Sequence, residues 1–158
     1  AGEDVSLNGA GLRTKVWKLY ACGLYVARPT NDAEELIRNG QVKHMELHML
    51  RDLTKEQVGK TIREGFEKNS RAELPSLAAR LDRLTSALPD VKRGEVLTVT
   101  YVPGRGTTVQ GPRNEAILLE GDDFMRALFS VWLGPRPVQS SLKRQLLGAS
   151  IEDNGAGL

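Results

Sequence analysis

The chain has 158 residues, 40% hydrophobic and 27% charged, and at 17.4 kDa it fits one globular domain with enough core to need no metal or disulfide staple. Lys and Arg number 22 against 20 Asp and Glu, and a net of +2 gives no reason to expect nucleic acid or another polyanion as a partner. A single cysteine, Cys22, excludes an intrachain disulfide framework and a CxxC site, and no apolar run reaches the ~18–20 residues that a bilayer span requires.

In chain order, Val5 to Leu7 reads as a short strand and Asn8-Gly9-Ala10-Gly11 as a turn. Leu12 to Val26 has helical length, yet its aromatic and β-branched residues and Gly23 predict a strand, which Pro29 and Asn31 stop. A short helix over Asp32 to Asn39 follows, with Asn31 as N-cap and Gly40 in the left-handed position at its end. Val42 to Arg51 reads as the next strand. Thr54-Lys55-Glu56-Gln57 is a capping box, and the helix it opens carries Val58, Ile62, Gly65 and Phe66 on one face. Leu77, Leu81, Leu84 and Leu88 form the stripe of a third helix that Pro89 ends. Val96 to Val102 alternates, Pro103-Gly104-Arg105-Gly106 turns the chain, and Thr107 to Val109 and Ala116 to Leu119 complete a three-stranded meander. Asp122 or Asp123 caps a helix to Leu133, Gly134-Pro135 stops it, a last helix covers about Ser140 to Leu147, and the tail from about Ser150 is expected to fray. These elements predict an α+β domain spanning 1–158: an antiparallel sheet with one face covered by helices, since each helix has one apolar stripe to bury.

Most chemical constellations reduce to structure. His44-x-Glu46-x-His48 places three polar side chains on one face of a strand, but the two histidines lie ~13–14 Å apart at 3.3–3.4 Å per residue, too far to share one zinc. They read as a partly wet sheet face, and no metal is expected. Gly9-Ala10-Gly11 lacks the following helix that a dinucleotide loop needs, no serine sits in a GxSxG elbow, and Cys22 reads as a small core residue. Lys143 and Arg144 near a helix start read as a solvated face rather than a phosphate site. Arg13 is different. It sits at the mouth of an apolar layer with Trp17, Leu19 and Tyr20 close behind, where an arginine either snorkels to water or holds an anionic head group.

Gly9-Ala10-Gly11-Leu12-Arg13 followed by Leu19-Tyr20-Ala21-Cys22-Gly23-Leu24-Tyr25 resembles the opening of the chalcone isomerase fold. The resemblance continues at Leu53-Thr54, at Leu133-Gly134 with Val138, and at Ser141-Leu142-Lys143-Arg144, so that it spans about Leu7 to Leu147. It is nearest to the bacterial chalcone isomerase-like proteins, and it implies an open-faced β-sandwich. In the plant enzymes an arginine holds a phenoxide while hydroxyls polarise a ketone. Arg13 matches that arginine, whereas Tyr20 stands in place of a threonine, Val58 of a tyrosine, Gly65 of an asparagine, and Val131 of the last hydroxyl. Losing a positioned donor at a developing oxyanion costs ~10²–10³ in rate.

The resemblance therefore implies a non-catalytic protein that binds a small amphipathic acid, as the fatty-acid-binding members of the fold do, and needs no cofactor. Arg13 would anchor the carboxylate and Tyr20 would donate a second hydrogen bond, with Trp17, Val58, Gly65, Phe66 and Val131 in the apolar wall or the core beneath it. Two alternatives stay open: a weak chalcone–flavanone isomerase working through Arg13 and Tyr20, and a protein-docking scaffold with a collapsed cleft. Because such proteins are often exported, a periplasmic or otherwise exported protein is expected, with a cytoplasmic one left open; the start at Ala1 does not decide between them.

Overall fold

The computed structural model describes residues 4–150; the tail expected to fray lies outside them apart from Ser150. Six antiparallel strands follow one another across a single sheet: β1 (Ser6–Lys15), β2 (Trp17–Val26), β3 (Lys43–Met49), β4 (Val96–Val102), β5 (Gly106–Gln110) and β6 (Ala116–Leu119). The helices are α1 (Ala33–Arg38), α2 (Lys55–Asn69), α3 (Leu74–Ala87), α4 (Asp122–Leu133) and α5 (Ser140–Leu146). The predicted α+β class and antiparallel sheet with helices on one side are what is observed.

Alternation sets the two faces of this sheet. Tyr20, Cys22 and Leu24 of β2, Met45, Leu47 and Met49 of β3, and Leu97, Val99 and Tyr101 of β4 are buried on the helix side. Tyr25, His44, Glu46, Thr98 and Thr100 alternate with them on the open side. There the Glu46 carboxylate bridges the Nε2 atoms of His44 and His48, one oxygen to each, both at 2.9 Å. Among the described residues no group of three or more His, Cys, Asp or Glu is placed to hold a metal ion. α4, apolar nearly all round, is buried along its length between the sheet and the other helices, as such a helix must be.

The N-terminal third departs from expectation. Gly9-Ala10-Gly11 is not a turn but the middle of β1, and the segment read as one strand from Leu12 to Val26 is a hairpin. Lys15 pairs with Trp17, and Val16 alone makes the turn with φ at 65°. The glycines serve packing instead. A Cβ at Gly9 would collide with the backbone carbonyls of Gln145 and Leu146, and one at Gly11 with the Gln145 side chain. α5 thus lies against the edge strand, and Gln145 together with Gln139 just before the helix acts as a substitute strand: Gln145 Oε1 accepts from Leu12 N, while Gln139 accepts from Thr14 N and donates to Leu12 O.

The remaining corrections are local. Asp32, not Asn31, caps α1 by accepting from Glu35 N, and the chain leaves that helix through an extended Asn39 without using a left-handed Gly40. The Thr54 capping box of α2 forms as expected. α3 begins at Leu74, three residues before its leucine stripe, because Pro75 suits the first helical turn. Gly121, with φ at 99°, is the N-cap of α4 in place of an aspartate, and Asp123 is engaged with Arg80 at 2.8 Å. Lys143 does not face solvent freely: its ammonium donates to Gly134 O at the end of α4.

Candidate functional site

On the helix-facing side of β1 the positions run Gly9, Gly11, Arg13, each two residues from the last. α5 covers the two glycines. At Arg13 the cover ends, and the side chain projects beside Gln139, the residue before α5, into a cavity of about 780 Å³ between the hairpin end of the sheet, α2, and residues 136–138. That volume lies within the ~300–1,000 Å³ of small-molecule sites. The collapsed-cleft alternative requires this space to be filled, and it is open.

Arg13 pairs with Tyr20 across the β1–β2 ladder, so the two side chains share a face. Arg13 is half-buried and donates through Nη1 to Gln139 Oε1 at 3.2 Å and more weakly to Thr14 O at 3.4 Å. Its Nε and Nη2 have no hydrogen-bond partner among the described residues, which leaves donors of the guanidinium fork uncommitted. Tyr20 is buried, and its hydroxyl accepts from Trp132 Nε1 at 3.0 Å. The indole fixes the oxygen and leaves the phenolic proton free to donate. Burial pushes the Tyr20 hydroxyl pKa well up, with the Trp132 hydrogen bond and the Arg13 charge only partly opposing, so at neutral pH the group is a donor.

Below this pair the lining is apolar: Leu47, Met49, Ile62 and Leu97 are buried there, and Val58 and Leu53 are partly exposed to the space. Trp17 stands at the mouth, 60% exposed, under the Arg51 guanidinium 4.8 Å from its ring. Gly65 also lines the cavity, yet its lack of a side chain answers to packing, since a Cβ there would stand 2.6 Å from Val131 Cγ2. Phe66 and Val131 are fully buried behind the lining, Phe66 against Phe124 with ring centroids 5.3 Å apart. The cavity therefore brings together Arg13, Trp17, Tyr20, Val58 and Gly65 of the residues singled out from sequence, and leaves Phe66 and Val131 in the core beneath.

Sequence reasoning missed Gln139 and Trp132, which hold Arg13 and Tyr20, because both come from more than a hundred positions away. It also missed the basic rim. Lys15, Arg51, Lys60, Lys68 and Arg136 join Arg13 around the cavity, against Asp52 and Glu64. In sequence these cations are scattered and show no run. No histidine or cysteine lines the space.

The sequence pattern of the family described as chalcone isomerase-like matches residues 1–148. Among curated proteins none matches the sequence. Among solved structures, a fatty-acid binding protein of Arabidopsis thaliana is similar with a TM-score of 0.69 at 16% identity, over 99% of this chain and 91% of that one. At that identity the likeness is one of fold.

Proposed function

Because the chain belongs to the chalcone isomerase-like family, we propose that it acts as a single domain whose cavity binds a small amphipathic acid of the fatty-acid type and does no chemistry on it. The observation that carries the reading is the Arg13–Tyr20 cross-strand pair lining a cavity with an aliphatic floor. A guanidinium with uncommitted donors and a protonated phenol suit a carboxylate, and the buried aliphatic floor suits its chain. The similar Arabidopsis protein, itself a fatty-acid binding protein by description, supports the same class of ligand. Val58 and Gly65 offer no hydroxyl where isomerisation would need one, and Val131 is buried out of reach.

An exported, periplasmic setting is part of this proposal. Cys22 is buried and its thiol pKa is pushed up by desolvation, so an oxidising compartment would leave it unreacted. Among the described residues no helix is long and apolar enough to cross a membrane.

Titration of the purified protein with palmitate tests the binding. Arg13→Ala is expected to weaken it roughly tenfold to a hundredfold, the worth of a hydrogen bond to a charged group. Equal affinity in the two proteins would remove Arg13 from the site. With naringenin chalcone, absorbance should follow the spontaneous cyclisation rate; saturable turnover above that background would restore the enzyme reading.

A further inference from the structure

The cationic rim exceeds what one carboxylate needs. Six basic and two acidic side chains line the cavity, an excess of four, whereas the whole chain has an excess of two. The rest of the molecule is therefore net negative, and positive charge is gathered at one end. Lys15, Arg51, Lys68 and Arg136 make no ion pair among the described residues, and Lys60 reaches Glu64 only at 3.9 Å. Potentials of this kind are complementary to an anionic surface.

The same end carries apolar side chains in water. Of the five described large hydrophobic residues that are exposed, Val16, Trp17 and Leu50 lie here, with Val16 87% exposed at the hairpin tip. Val16 is also a β-branched residue with φ at 65°, a conformation such residues rarely adopt. A glycine would turn the chain there without that strain, so the tip keeps an apolar, almost fully exposed side chain in an unfavourable backbone position. An indole flanked by Lys15, Lys18 and Arg51 is the composition of a segment lying at a membrane–water interface.

The geometry points to the cavity mouth as a docking surface for an anionic lipid bilayer, with Val16 and Trp17 entering the headgroup layer and the basic rim resting on it. A soluble polyanion would satisfy the cations but would have no use for the exposed apolar tip, which is why a bilayer fits better. Docked this way, the cavity opens toward the lipid. That last point rests on the ligand reading above; the docking itself does not.

Co-sedimentation of the full chain with vesicles tests it. Vesicles of phosphatidylcholine containing about one-third phosphatidylglycerol should bind the protein roughly tenfold or more tighter than phosphatidylcholine alone, and added salt should weaken the association. Binding should shift the Trp17 fluorescence to the blue, since Trp132 is already buried. Val16→Glu, and separately the pair Arg51→Glu with Arg136→Glu, should each lose most of the binding; all three positions are exposed, and circular dichroism checks the fold. No binding, equal binding to both vesicles, or undiminished binding by the charge-reversed pair would overturn the proposal. Palmitate titration without vesicles separates the two ideas: failure there with vesicle binding intact refutes the ligand alone, and the reverse refutes the surface alone.

Discussion

Arg13 and Lys43 are both basic residues on the helix-facing side of the sheet, and their surroundings give them opposite roles. Arg13 reaches an open cavity and keeps free donors. Lys43 is fully buried 4.9 Å from the Tyr101 ring centroid and donates to the carbonyls of Asn39 and Gln41. Burial pulls the Lys43 ammonium down to about 8, with Asp122 opposing the shift and Arg28 adding to it. A lysine whose folded value lies below the unfolded ~10.4 leaves the unfolded chain holding more protons between those limits, so its contribution to stability improves as pH rises through about 8 to 10. Cys22 and Tyr20, with raised values, act in the opposite direction at alkaline pH, and comparison with a variant cancels them. Denaturant unfolding of wild type and Lys43→Met should therefore give a stability difference that moves in favour of wild type between pH 8 and 10. A difference flat with pH would place no titration at Lys43. The segment from Val42 to Arg51 is legible as a strand, but not that one of its inward positions holds a lysine against the aromatic ring directly opposite it on β4.

Among the elements, the α2–α4 crossing is a tight constraint beside the cavity. In sequence Gly65 stands as a replacement within a binding site; the structure gives it a second reason, because Val131 occupies the space of its missing side chain. Val131 is fully buried on a helix whose side chains from Ala127 to Leu133 are all buried, so it cannot yield easily. Gly65→Ala should lower stability by about 1 kcal/mol net, overpacking near the middle of the ~1–3 kcal/mol range outweighing the ~1 kcal/mol gained from helix propensity. Thermal unfolding checks this, and an unchanged or raised Tm would mean that the helices separate freely. The hairpin teaches the same lesson. Glycines at 9 and 11 look like turn residues because sequence shows only their permissive backbone, not the helix from the far end of the chain that requires their smallness.

For the molecule as a whole, ligand binding and stability are linked. A fatty acid that binds only the folded chain should stabilise it by about 2.7 kcal/mol at a hundredfold excess over Kd, or roughly 5–10 °C in Tm for a domain of this size. Arg13→Ala should show a smaller shift at the same palmitate concentration. Absence of any shift in wild type would contradict the binding reading. Charge also acts at this scale. The near-balance of 22 and 20 charges argued against an anionic partner, yet net charge says nothing about where the charges lie, and folding gathers six of the cations around one opening.

The sequence by itself determined the elements that depend on local physics: the alternating strands from Val96 to Leu119, the Thr54 capping box, the leucine stripe of α3 and the apolar α4. It also determined the family, through short motifs around Arg13 and Tyr20. Only the tertiary structure decided that Val16 turns the first hairpin, that Gln139 and Trp132 fix the Arg13–Tyr20 pair, and that scattered cations share a rim. The reason is range. Periodicity and capping act within a few residues, whereas close approach, buried hydrogen bonds and shared electrostatic fields join positions that chain order keeps far apart.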